Sequence, residues 1–115
     1  MTIKEIAEEY NKMKEEDENA ITPITIESAE FVEKVLKENK LTGYTIVPSP
    51  MGEICFEWDT KKPISLGICV NDEEYACIER LDHRIGGDFY MEAFNLKNEE
   101  EVDQFVAMLS ELIHE

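Results

Sequence analysis

Five stretches of β-forming residues follow one another between residues 44 and 94, and the breaks between them are too short to hold a crossover. They are YTIVP at 44–48, EICFEWD at 53–59, PISLGICV at 63–70, EEYACIERL at 73–81 and DFYMEAF at 88–94. The breaks carry PMG, TKKP, ND and IGG, all with turn chemistry. A parallel connection needs a dozen or more residues. The middle of the chain therefore reads as an antiparallel meander of four or five strands.

Helical periodicity flanks this block. Thr2 and Glu5 have capping-box spacing, and Ile3, Ile6, Tyr10 and Met13 share one face of a helix over residues 2–17. The acids Glu15, Glu16, Asp17 and Glu18 oppose the dipole at its end, so residues 15–22 read as a mobile acidic link. Pro23 and Thr25 lead into a second helix, with Ile26, Ala29, Val32, Val35 and Leu36 as its apolar stripe. The clearest helix is 98–114, with Asn98 as N-cap and Val102, Phe105, Val106, Leu109, Leu112 and Ile113 facing a core. The chain of 115 residues fits one α+β domain: two N-terminal helices, the meander, and a C-terminal helix packed on one sheet face.

Alternation sorts the strand residues. On the second strand Ile54, Phe56 and Trp58 face one way and Glu53, Cys55, Glu57 and Asp59 the other. The third strand divides Ile64, Leu66, Ile68 and Val70 from Ser65, Gly67 and Cys69. Like faces must meet in an antiparallel pair, so Trp58 is expected to be buried against the third strand and the C-terminal helix. The fourth strand is open to two readings. A three-residue turn at 71–73 points Ala76 and Ile78 inward; a two-residue turn at Asn71 and Asp72 puts Tyr75 and Cys77 there. The fifth strand is apolar on both faces, with Phe89, Met91 and Ala93 against Tyr90 and Phe94. Its outer side is covered by the first helix or binds a partner.

The segment PSPMGEICFEW followed by ISLGICV resembles small, functionally unassigned bacterial proteins that share a P-x-x-x-G-x-I-x-F/L-E-W strand and then an alternating strand. The likeness spans about residues 44–80. It implies the meander and transfers no activity and no catalytic residue.

Charge narrows the function. Asp and Glu number 27 against 11 Lys and Arg, a net charge of −16. That field repels nucleic acid and anionic membranes and attracts basic proteins. Lys61, Lys62, Arg80 and Arg84 make only a small basic cluster. The N-terminus has acids where a signal peptide needs an apolar run, and the three cysteines do not make a disulfide scaffold. A cytoplasmic protein is expected, with reduced, replaceable thiols.

No catalytic, cofactor or metal motif stands out. Glu53, Glu57 and Asp59 are too spread along a strand for one hard cation. Cys55, Cys69 and Cys77 lack the close pairs zinc prefers. Cys55 and Cys69 would oppose each other if the TKKP turn has three residues, with His83 as a distant ligand; small half-buried thiols is the preferred reading. His83 lies in a solvated turn. The expected function is that of a non-enzymatic binding protein: an inhibitor, immunity or anti-defence protein, or nucleic-acid mimic, occupying the basic surface of a partner of the nucleic-acid-binding kind. Glu53, Glu57, Asp59, Glu79 and Glu92 on a rigid outer sheet face are the expected contacts, with carboxylates about 6–7 Å apart at alternate strand positions. The alternatives are a secretion-chaperone-like binder of an extended client and a small enzyme.

Overall fold

A computed structural model describes residues 1–59 and 63–114. The turn expected over Thr60, Lys61 and Lys62 lies outside the described residues. The elements run α1 (Ile3–Met13), α2 (Pro23–Glu38), β1 (Tyr44–Pro48), β2 (Ile54–Trp58), β3 (Ile64–Val70), β4 (Tyr75–Asp82), β5 (Phe89–Asn95) and α3 (Glu99–Ile113). The five strands form one antiparallel sheet in chain order. The fold is α+β.

Three cross-strand rows point toward the helices. Ile46, Phe56, Ile68 and Ile78 oppose one another in turn, beside Ile54, Val70, Ala76 and Phe94, and Tyr44, Trp58 and Leu66. Helix α2 lies over β2 and β3, α1 packs on α2 and β1, and α3 lies over β5. Their buried faces, Ile3 and Ala7, Ala29, Val32 and Leu36, and Phe105 and Leu109, join those rows in one core. Phe105 meets Phe94 edge to face at 5.7 Å. Because α1 sits beside α2 and β1, it does not cover the outer side of β5.

The third strand turns into the fourth through a three-residue loop at 72–74, one position later than expected. Asn71 N–H donates to the Tyr75 carbonyl and Glu74 takes a φ of +63°. The parity is that of the three-residue reading, so Ala76 and Ile78 are fully buried. Trp58 differs from expectation. It is half-buried on the helix side, edge to face with Tyr44 at 5.5 Å, and its indole N–H donates to the Thr42 carbonyl. It closes the end of the sheet near β1, whereas α3 lies at the opposite edge.

Caps set the helix limits. Thr2 and Glu5 close a capping box. Thr22, with Pro23 at the first helical position, caps α2; Thr25 is buried, its hydroxyl 3.1 Å from that of Thr22. Asn98 caps α3, and Glu101 reaches back to the Asn95 backbone N–H, tying β5 to the helix. Helix α1 stops at Met13, four residues short of the expected end, leaving Met13 exposed.

The segment expected to be a mobile link is fastened at several points. The Asn11 side chain donates to the Ile21 carbonyl and accepts from its N–H. The Tyr10 hydroxyl donates to the Asn19 carbonyl, and Asn19 N–H to Pro50. Gly52, at φ +81°, lies so close to the Ala20 carbonyl that a Cβ would stand 2.8 Å from it. Ile21 is buried as a result. Asn11→Ala removes both bonds to Ile21 at a part-buried site, and a loss of about 1–3 kcal/mol is expected in urea denaturation.

Candidate functional site

All three helices pack on one side of the sheet, and the outer side is open. Across it, Thr45, Glu57, Gly67, Glu79 and Met91 make one row. Val47, Cys55, Cys69, Cys77 and Ala93 make the next, and Ser65, Leu81 and Phe89 lie on the other side. Gly67 has no side chain, so a groove of about 200 Å³ opens over it, walled by Glu57, Glu79, Leu81 and Phe89 and reaching Cys55 and Cys69. A Cβ on Gly67 would come within 3.2 Å of the Phe56 carbonyl. At the rim Phe89 is 60% exposed, Met91 56% and Leu81 37%. This apolar strip sits beside the two carboxylates.

The structure brings Glu53, Glu57 and Glu79 to this outer face, and Asp59 is exposed just beyond β2. Glu92 is not among them. It opposes Ile78, on the side of Phe94 and the helices, where it accepts a 2.6 Å hydrogen bond from the Tyr90 hydroxyl. The expected spacing of about 6–7 Å between carboxylates also fails for Glu53 and Glu57. They are two alternations apart, about 13 Å along the strand, with Cys55 between them. Leu81, Phe89 and Met91, absent from the expected contacts, form the apolar part of this face; alternation groups Phe89 with Met91 but does not say which side of β5 is outward.

The electrostatics are those of a negative surface. Burial, then the Glu79 charge, pushes the Glu53 carboxyl up, partly offset by a hydrogen bond with Ser49. Cys77 is pushed up to about 11 by burial, then by Glu79, Cys69 and Glu53. Cys69 is raised further by its hydrogen bond with Cys55, then by burial and the same acids. These thiols are protonated at neutral pH and are weak nucleophiles.

One nucleophile–base pair lies near the sheet end: Ser65 Oγ is 2.6 Å from His83 Nε2. Both residues are exposed, and no carboxylate among the described residues holds the other ring nitrogen. Asp82 is engaged elsewhere, accepting from the Arg84 backbone N–H, from Nε at 2.9 Å and from Nη2 at 2.6 Å. The pair thus lacks the third group that orients a catalytic base. Among the described residues no helix is long and apolar enough to cross a membrane. Comparison with protein-family models, with curated proteins and with solved structures gives no match.

The Asp82–Arg84 clamp gives a pH dependence with a definite sign. Hydrogen bonds from Arg84 hold the Asp82 carboxyl at about 2, below the value of about 3.9 in an unfolded chain. Its contribution to stability is present above that unfolded value and is lost as pH falls toward 2. NMR titration should give Asp82 a midpoint near 2. In Arg84→Ala the midpoint should move up toward the ordinary range.

Proposed function

We propose that the protein is a non-enzymatic binding module whose open outer sheet face captures a basic, apolar-bearing surface of another protein. One observation carries this reading. The side of the sheet left free by the helices places the carboxylates of Glu57 and Glu79 on either side of Gly67, next to exposed Leu81, Phe89 and Met91. Carboxylates steer a cationic partner into place, and the apolar strip holds it once docked. The face is built on strands, so its charges need no ordering on binding. The acids at Glu15 to Glu18 are a poorer contact, since Glu18 is already engaged by the Tyr10 hydroxyl and the Glu15 backbone N–H. An inhibitor or immunity-type role, blocking a partner whose own ligand is a polyanion, fits a net charge of −16.

The strip on β5 favours a second reading, in which the face holds an extended client as a secretion chaperone does. Salt separates the two. Capture steered by charge weakens steeply with ionic strength, and an apolar contact does not.

The test uses a synthetic peptide of alternating lysine and leucine. Reversing Glu57 and Glu79 to lysine should slow its association about tenfold or more at low salt. Reversing Glu15 and Glu16 should do much less. Phe89→Ala, at a solvent-facing position, should speed dissociation and leave the salt dependence unchanged. Equal losses from the two charge reversals would reduce the attraction to net charge and refute the assigned face. Binding insensitive to salt would favour the client-holding reading.

A further inference from the structure

Pairing register does for the cysteines what their spacing along the chain does not. Cys55 opposes Cys69, and Cys69 opposes Cys77, in one row of the outer face. Directly opposed residues hold their Cβ atoms about 4.5–5.5 Å apart. The Cys55 and Cys69 sulfurs are 2.7 Å apart, and a Glu53 carboxylate oxygen joins them in a cluster whose members all lie within 4.8 Å of one another. We propose that Cys55, Cys69 and Glu53 form a binding site for a thiophilic divalent cation of the zinc class, with the fourth position left to water.

The size fits after small side-chain movements. Sulfur at about 2.3 Å and oxygen at about 2.0–2.2 Å from a tetrahedral zinc ion place donors roughly 3.5–3.8 Å apart. The two sulfurs must part by about 1 Å and the carboxylate must close by at most about as much, movements on the scale of side-chain rotation. Cys77 lies one strand further, about 9–11 Å from Cys55 between Cβ atoms, too far to share one ion with it, and its thiol is directed toward the Ile78 carbonyl at 3.9 Å. Two thiolates with one carboxylate prefer a borderline or soft metal to magnesium or calcium.

The exchange is neutral in charge, so Glu53 and Glu79 beside the cluster do not oppose it. Binding through Cys55, Cys69 and Glu53 forms two metal–sulfur bonds and one metal–oxygen bond and breaks two S–H bonds. Two protons go to solvent, no electron moves, and the charge of the cluster stays the same. Cys55 is buried and Cys69 half-buried at the end of an open groove, so a cation has an entry path.

The experiment is an anaerobic titration of the fully reduced, chelator-treated full chain with Co²⁺, followed by Zn²⁺. One equivalent of Co²⁺ should bind with the visible bands of a tetrahedral site and near-ultraviolet thiolate-to-metal absorption, and Zn²⁺ should displace it. Affinity should rise with pH between 6 and 8 by about tenfold for each proton released, hence about a hundredfold per unit for two. Cys69→Ala and Glu53→Gln should each weaken binding by on the order of 10–100-fold or more. Glu92→Gln, on the opposite sheet face, should leave it unchanged. Cys55 is buried, so its role is read in the intact chain: Zn²⁺ should protect two of the three thiols from a disulfide reagent and leave Cys77 reactive. Absence of Co²⁺ absorption across that pH range would overturn the proposal. So would displacement by millimolar Mg²⁺, or affinity independent of pH, because either would place the ion on surface carboxylates.

Discussion

The stacking of Phe56 between Ile46 and Ile68, with Ile78 beyond, fixes the pairing of four strands at once. Side chains alternate with a period of two, so a slip of one residue in any strand would invert all its faces. Such a slip in β2 would turn Glu53, Cys55 and Glu57 into the core and Ile54 and Phe56 into water. Burying an unpaired carboxylate costs far more than any single strand contact returns. The register is therefore fixed by what each strand cannot bury as much as by what it does. The apolar rows hold the helices, and the acidic and thiol rows, with the same register, are assembled on the other side.

This explains which parts of the molecule were legible in the sequence. The five strands, α3 with its Asn98 cap, and the two faces of β2 and β3 rest on spacing within a few residues. Periodicity reads that directly. Glu92 rests on more. Strand β5 is apolar on both faces, so only the meeting of Phe94 with Phe105 of α3 settles which side is inward. Trp58 belongs by alternation to the core face, but it stands at the last pair of β2, beyond the helix cover, and is only half-buried. Residues 15–22 carry a composition that suggests mobility. Their anchors are Asn11, Ile21 and the Pro50 turn, the last about thirty residues away in sequence, and composition does not encode them.

The cysteines show the same division between local and distant information. Their positions, 55, 69 and 77, have no motif spacing. Each interval nonetheless equals one hairpin, because a residue and its partner across a hairpin are separated by twice their distance from the turn. A β-meander can therefore build a row of like residues with irregular intervals along the chain. Motif searches tuned to neighbouring cysteines pass over such a row. Gly67 is similar: alone it signals nothing, but between Glu57 and Glu79 it makes the groove floor.

The two proposed uses of the outer face are coupled through charge. The thiol row adjoins the Glu57–Gly67–Glu79 row, one strand step away at about 7 Å between alternate positions. At that separation two unit charges near a protein surface interact by about 2 kcal/mol before screening, and salt reduces this further. If two protons leave as a dication arrives, the charge of the cluster is unchanged and the face keeps its attraction for a basic partner. A site that released only one proton would leave the face one charge less negative and weaken that attraction. Metal occupancy would then act on partner capture chiefly by stiffening β2 against β3. The number of protons released on metal binding is thus the quantity that connects the two activities.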